Sequence, residues 1–207
     1  MISPEFLSFW AKSTELSSNE ILPVFIPSNK TRVYLVMEGK LIISRIVGNT
    51  GEEIVQDILT PGDVFNQRLF IGVDMYNNLT AIAGSKGAKL LYMSTNDVHL
   101  LKKNNIVFEE MISDLLKQKL KSLEDRIEVL SFRNPHERIV RFIGHLQNKM
   151  KGSSKIYHNY SHDDISKLTR VPRPLVTKIL LELREEGKID YARGVIEILD
   201  FDRIFSD

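Results

Sequence analysis

Arg173, Thr177 and Lys178 sit together on one side of a run whose other side is Val176, Ile179 and Leu183. A guanidinium and an ammonium held on the open face of a helix can donate to guanine edges or to phosphate oxygens. The helix itself is signalled locally. Pro174 fits a first turn, where its missing N–H costs nothing, and Leu175, Val176, Ile179, Leu180 and Leu183 follow at helical spacing until Gly187 stops the run. Upstream, Ser161 followed by Asp164 is a capping-box-like start, with the hydroxyl aimed at an orphan helix N–H and the acid at the positive end of the dipole. Ile165 and Leu168 give that helix one apolar face, and Arg170-Val171-Pro172 breaks it. Two short helices joined by a tight turn, the second with cations outward, is the arrangement a major-groove reader requires. An ordinary helical hairpin with a solvated charged face would read the same way.

Two neighbouring features favour the reader. Ile189-Asp190-Tyr191 and Val195 to Leu199 have strand character on either side of Ala192-Arg193-Gly194, a hairpin suited to a wing. The charge is also local. Arg138 to Lys178 holds nine Lys/Arg against two acids, Asp163 and Asp164, whereas the whole chain is only +1. A local cationic excess in a near-neutral chain suits the phosphate backbone.

The elements that must position these residues change in texture along the chain. Ile2 to about Lys12 is expected to be a short helix. From about Ile21 to Met93 short β-rich runs alternate with turn signals: Val33–Met37, Gly39, Leu41–Val47, the Gly48–Gly51 turn, Ile54–Leu59, Pro61-Gly62-Asp63, Thr80–Ala83, Gly84–Gly87 and Leu90–Met93. Strands at that spacing imply an antiparallel sandwich or barrel. From about Asn105 to Phe132 the pattern is helical. Leu116, Leu120, Leu123, Ile127 and Leu130 are spaced 4, 3, 4 and 3, a heptad seam narrower than a globular helix needs, and it implies a coiled-coil contact between two chains. A long amphipathic helix packed on its own domain is the alternative. Asn134-Pro135 marks a break, Arg138 to Met150 is another helix, and Lys151 to Lys155 is a polar loop. The expected domains are 1–104, 105–133 and 134–207.

With 207 residues, 43% hydrophobic and 27% charged, the chain can bury a core in one or two domains, and no apolar run approaches a membrane span. The first residues lack the basic and apolar regions of a signal peptide, so a cytoplasmic protein is expected. The absence of cysteine excludes disulfides, Cys-ligated zinc, thiolate haem and Cys-ligated iron–sulfur clusters. No phosphate-cradling glycine loop, His-Glu-x-x-His, nucleophile elbow or Cys/His pair is present. Asp163-Asp164 and Glu185-Glu186 are helix-terminal or solvated acids, and His99, His136, His145, His158 and His162 have no evident paired ligand. No enzyme, metal or cofactor is expected.

The order of β-rich region, long helix, helix pair and wing resembles the Crp/Fnr family of bacterial transcription regulators over roughly Leu22 to Ile204. Tyr160–Ile189 matches that family's helix–turn–helix without a gap, VYLVMEGKLIIS (Val33–Ser44) resembles its strand–glycine–strand signature, and LTPGDVF (Leu59–Phe65) its Pro/Gly-Asp turn. The resemblance implies an α+β chain: an N-terminal antiparallel β-roll (a double-stranded β-helix), a long dimerisation helix and a C-terminal winged helix–turn–helix. It implies a homodimer on a two-fold symmetric site in double-stranded DNA, with RNA polymerase as a further partner, no membrane, and recognition by about Arg173 to Glu186. Arg173 and Lys178 fall on base-reading positions. Ser161, His162, Lys167, Arg170, Thr177 and Arg193 are candidate DNA contacts.

Pro174 replaces an acid that many members direct at cytosine, and Arg170 replaces a common turn glycine. Where members that bind cyclic AMP carry a Gly-Glu pair and an Arg-Ser pair, this chain has Gln67 and, nearby, Asn78 and Leu79. Cyclic AMP is therefore not the expected effector. Any other small molecule in the roll would meet Asn66, Gln67, Arg68, Asn78 and Thr80. The rival reading is a small-molecule or protein-interaction sensor module whose C-terminal domain no longer binds specific DNA.

Overall fold

The structure is a computed structural model, and it describes residues 4–23, 31–47, 51–73, 79–192 and 194–205. The chain forms two compact units, Met1–Gln118 and Lys119–Asp207.

The first unit contains α1 (Pro4–Ser8), β1 (Lys12–Leu16), β2 (Ile21–Leu22), β3 (Arg32–Val47), β4 (Glu52–Leu59), β5 (Val64–Phe65), a 3-10 turn over Gln67–Ile71, β6 (Leu79–Ser94), α2 (Thr95–Asn104) and the first part of α3 (Ile106–Ser131). Its strands make one antiparallel sheet in the order β1-β6-β3-β4, with β2 also on β6 and β5 on β3. Alternate side chains of a strand leave opposite faces, and β3 uses both. Tyr34, Val36, Leu41 and Ile43 join Leu59, Phe65, Ala81 and Leu90 in one buried cluster. Val33 and Leu35 join Phe6, Trp10, Phe70, Met93, Val98, Phe108 and Ile112 in the other, which seats α1, α2 and the start of α3.

The sequence pattern needs correction here. The helix expected to reach Lys12 stops at Ser8, and Lys12 opens β1. Gly39 and the Gly84–Gly87 stretch are turn signals in the sequence, yet β3 and β6 run through them as 16-residue strands. The pairing passes from Gly39↔Ala88 directly to Leu41↔Ala83, so residues 84–87 bulge out opposite Lys40. Gly39 and Gly87 have φ of +74° and +75°, and a Cβ on Gly39 would lie 2.1 Å from the Gly87 carbonyl oxygen. The glycine of the strand signature marks a bend where two backbones touch. The Pro61-Gly62-Asp63 turn is pinned to the same strand. Asp63 Oδ2 accepts from the Thr60 N–H at 2.8 Å and from its hydroxyl at 3.0 Å, while the Val36 N–H donates to the Asp63 carbonyl at 3.0 Å. The Gly48–Gly51 turn lies mostly outside the described residues.

The second unit contains the rest of α3, then α4 (Pro135–Lys149), β7 (Lys155–Tyr157), α5 (His162–Thr169), α6 (Arg173–Glu185), β8 (Ile189–Ala192), β9 (Val195–Ile198) and α7 (Phe201–Phe205). Asn134 Oδ1 accepts from the His136 N–H at 2.9 Å, so α4 begins at Pro135, ahead of the position its apolar period suggests. Strands β7-β9-β8 form a small antiparallel sheet. Ile139, Ile143, Ile165, Val176, Leu180, Leu183, Ile189 and Ile196 fill one core between that sheet and the helices.

The seam residues of α3 divide between the units. Leu116 packs into the first unit's cluster and Leu130 is half-buried. Leu120, Leu123 and Ile127 remain 60%, 45% and 66% exposed, while Val129 is buried at 3%.

Gly39→Ala should lower the unfolding free energy by more than about 2 kcal/mol, through both the left-handed backbone and the clash. Gly51→Ala, at φ +71° with nothing within 4 Å of its Cβ, should cost about 1 kcal/mol from the backbone alone. Urea denaturation of the two variants separates the terms, and equal losses would mean that the close approach at Gly39 is not tight.

Candidate nucleic-acid interface

The entry to α5 is a complete capping box. The Asp164 N–H donates to Ser161 Oγ at 3.2 Å, and Asp164 Oδ2 accepts from the Ser161 N–H and hydroxyl, both at 2.7 Å. The shorter Asp serves where Glu or Gln is usual because its carboxylate is buried at 2% exposure against the N-cap. Ser161's hydroxyl is therefore engaged within the cap. Lys167, one turn on, pairs with Asp163 at 2.6 Å.

Helix α5 ends at Arg170, whose φ and ψ of 56° and 34° are left-handed. The turn keeps the shape a glycine gives elsewhere, and Arg170 bears the strain. Its side chain is exposed. Arg138 stands behind the turn, donating from Nη1 to the carbonyls of Thr169 at 3.5 Å and Arg170 at 3.4 Å, and from Nε to the Phe132 carbonyl at 2.6 Å. The local charge count places Arg138 among the phosphate-facing cations. It serves instead to hold the turn.

Helix α6 starts after Pro172, which gives no side-chain cap, and carries Pro174 in its first turn. Val176, Ile179, Leu180 and Leu183 are buried on one side. Arg173 and Lys178 are exposed on the other, and Thr177 is half-buried between them. Lys178 reaches Glu182 at 3.4 Å. Arg173 makes no ion pair among the described residues. A cation at the positively polarised end of a helix is unfavourable by itself, so Arg173 gains no stabilisation from the helix that carries it.

His162 Nδ1 lies 2.9 Å from Thr177 Oγ1, and the Thr177 hydroxyl also reaches the Arg173 carbonyl at 3.2 Å. This contact ties the start of α5 to the first turn of α6, a role that the residue types alone did not show. Burial, and then the neighbouring Arg173 charge, hold His162 below the usual histidine range. Burial also lowers His158, with the charge of His162 acting in the same direction. Tyr191 on β8 faces the His162 ring at 5.9 Å and carries the Arg184 guanidinium at 5.3 Å, so the hairpin contacts both α5 and α6 through one aromatic ring. Arg193 lies outside the described residues.

In the first unit, Asn66 is 8% exposed and left-handed at φ 65°, and its Nδ2 donates to the Arg32 carbonyl at 2.9 Å. That amide is spent on the fold. Gln67 is half-buried, Arg68 is exposed and Thr80 is half-buried opposite Ser44 on β3. Asn78 lies outside the described residues. Within the roll, Tyr34 lies 6.2 Å from Phe65 and 6.0 Å from Tyr92, whose ring carries the Arg32 guanidinium at 4.3 Å. Burial raises the Tyr34 hydroxyl above its ordinary range. Among the described residues no group of three or more His, Asp or Glu is arranged to hold a metal ion.

Residues 137–204 match the Crp-like helix-turn-helix domain. The chain is 23% identical over 167 residues to the cyclic AMP receptor protein of Thermus thermophilus, covering 80% of this chain and 74% of that one. Residues 137–204 thus carry a Crp-like domain, and the chain as a whole is similar in fold to Crp/Fnr regulators. It is a transcription regulator of that type with a helix–turn–helix DNA-binding domain. In fold it is similar to FixK2 from Bradyrhizobium japonicum, with a TM-score of 0.71 at 16% identity, over 93% of this chain and 94% of that one. It is also similar to a CRP/FNR-family transcriptional regulator from Thermus thermophilus, with a TM-score of 0.59 at 20% identity, over 93% and 96% of the two chains.

Arg170→Gly should raise the unfolding free energy by about 1 kcal/mol, because glycine adopts the left-handed conformation without strain. Thermal unfolding checks this, and an unchanged or lower midpoint would show that the turn is not strained by its arginine.

Proposed function

We propose that this regulator works as a homodimer on a two-fold symmetric duplex site, with α6 of each copy in a major groove. Arg173 carries the reading: it is an exposed guanidinium without an internal partner among the described residues, on the first turn of a helix whose opposite face is locked in the core. It would pair bidentately with a guanine edge. Lys178 would contribute a second donor by exchanging Glu182 for the DNA. Lys167, Arg170 and Arg193 would meet phosphates. His162 and Thr177 would act chiefly by fixing α6 on α5, and Ser161 by capping α5.

Dimerisation would bury Leu120, Leu123 and Ile127, an apolar row that the single chain leaves open to solvent. Half-buried Leu116 and Leu130 would extend the seam at its ends. The two readers would then stand about one DNA turn apart, ~34 Å. RNA polymerase is a further partner in this reading, and the protein is cytoplasmic and not an enzyme. No described helix is long and apolar enough to cross a membrane.

Cyclic AMP is not the effector in this reading. A buried cyclic phosphate needs a charge-assisted bidentate partner. Arg68 is exposed, Gln67 carries no charge and Asn66 is committed to the Arg32 carbonyl, so the first half of the stretch offers no such cradle. The similarity to the cyclic AMP receptor protein covers 80% of this chain and does not by itself carry that chemistry over.

Selection of bound sites from random duplex DNA tests the reading, and a palindrome is the expected product. On the selected site Arg173→Ala should weaken binding by ~1–3 kcal/mol and relax preference at one base pair, while Ile127→Glu should shift the chain towards monomer in sedimentation equilibrium. Equal affinity of Arg173→Ala and wild type would refute the reader. No duplex binding at ~50 mM salt would favour a sensor module without specific DNA binding.

A further inference from the structure

Two helices end at one guanidinium. Helix α3 stops at Ser131 and α5 at Thr169, and the last carbonyls of a helix have no partner within it. Arg138, on the first turn of α4, meets both ends. Its Nε donates to the carbonyl of Phe132, the residue after α3, at 2.6 Å. Its Nη1 donates to the carbonyls of Thr169 and Arg170 at 3.5 and 3.4 Å. Arg141, one turn on, places its guanidinium 5.3 Å from the centre of the Phe132 ring. Carbonyl and ring of Phe132 are thus both held by α4.

The link between α3 and α4 is Phe132, Arg133 and Asn134, and the last two are exposed. A short link with two solvated members has no core of its own to fix its angle. The helix–turn–helix does have one: Ile165, Val176, Ile179 and Leu183 are buried together with Ile139 and Ile143 of α4. Helices α4, α5 and α6 therefore hold one another, and the freedom lies at residues 132–134. Arg138 acts across that point. The α5 carbonyls orient its planar fork, and the oriented fork grips the Phe132 carbonyl. A lysine there would offer a point charge without the second arm.

We infer that Arg138 is a positioning residue that sets the angle between α3 and α6, and through it the half-site spacing that the paired chain accepts. This rests on the proposed reading, in which α3 joins two copies and α6 of each reads one half-site. In that reading base preference belongs to α6 and spacing to how each α6 is held, since half-site spacing follows the geometry of the dimer. Without Arg138 each reader still fits its own half-site. It swings about residues 132–134, so the pair loses affinity for the spacing at which it was held and tolerates neighbouring ones.

Full-length wild type, Arg138→Gln and Arg138→Lys are compared on the selected palindrome, on the same palindrome with its central spacer one base pair longer or shorter, and on a duplex with a single half-site. Wild type should lose on the order of tenfold in affinity with either spacer change. Arg138→Gln should bind the selected spacing about tenfold more weakly than wild type, the altered spacings within about threefold of that value, and the single half-site as wild type does. Arg138→Lys should fall between the two. Undiminished spacer discrimination in Arg138→Gln would overturn the inference. So would an equal loss on the single half-site, which would assign Arg138 to the integrity of the helix–turn–helix and not to its placement.

A second measurement needs no DNA. The chain has no cysteine, so Lys121→Cys on α3 and Glu185→Cys on α6, both exposed positions, accept two spin labels alone. Labelled chain is diluted into unlabelled chain, and the distance distribution is read by pulsed electron resonance. It should be narrow with Arg138 in place and broad in Arg138→Gln, and equal widths would overturn the inference. If wild type binds no duplex, the functional reading fails while the widths still decide the joint.

Discussion

Helix α6 is fixed by what it buries, not by how it begins. Val176, Ile179, Leu180 and Leu183 are all under 4% exposed, and fully burying side chains of that kind contributes ~1.5–3 kcal/mol each. The first turn has no comparable anchor: Pro172 supplies no cap and Arg173 adds charge of the unfavourable sign. The core therefore stabilises a helix whose leading end is left unsatisfied. The same division recurs around it. Asp164, Arg138 and His162 each spend their polar groups on the framework, and the cations left over are those on the open face.

That division decides how much was legible in the sequence. The helix–turn–helix was, because its signals lie within a few residues of one another: the Ser161–Asp164 cap, the Arg170-Val171-Pro172 break and the apolar period ending before Gly187. The roles of individual cations were not. Arg138 and Lys167 look alike in a charge count, yet one spans 31 residues to the Thr169 carbonyl and the other pairs with Asp163 four residues away. Thr177 reads as a phosphate donor until His162 is placed 2.9 Å from it.

The β-rich region is misleading in a similar way. Glycine within a strand pattern signals either a turn or a close approach of two backbones, and only the partner strand decides. At Gly39 the deciding atom is the carbonyl of Gly87, 48 positions away, so local punctuation suggests several short strands where two long bent ones run. Asn66 shows the same limit for a ligand site. Its type suits an effector contact, but its amide is occupied by a carbonyl 34 residues away. The effector-pocket candidates follow from position along a resemblance, and position does not reveal which polar atoms the fold has already used.

Magnitudes link the seam to the readers. In the proposed dimer, three side chains about half exposed on each of two helices would release roughly 1 kcal/mol apiece, ~6 kcal/mol in all. Association costs an estimated 4–15 kcal/mol in lost freedom. The exposed row is then near balance by itself, and the half-buried Leu116 and Leu130 ends weigh heavily. A dimer so poised responds to whatever binds it. Duplex DNA with two half-sites would favour the paired form and draw the equilibrium towards it by mass action. A joint that holds α4 firmly to α3 reduces the freedom each reader would lose on docking, so the Arg138 bond to the Phe132 carbonyl would add to affinity without a single added contact to the bases.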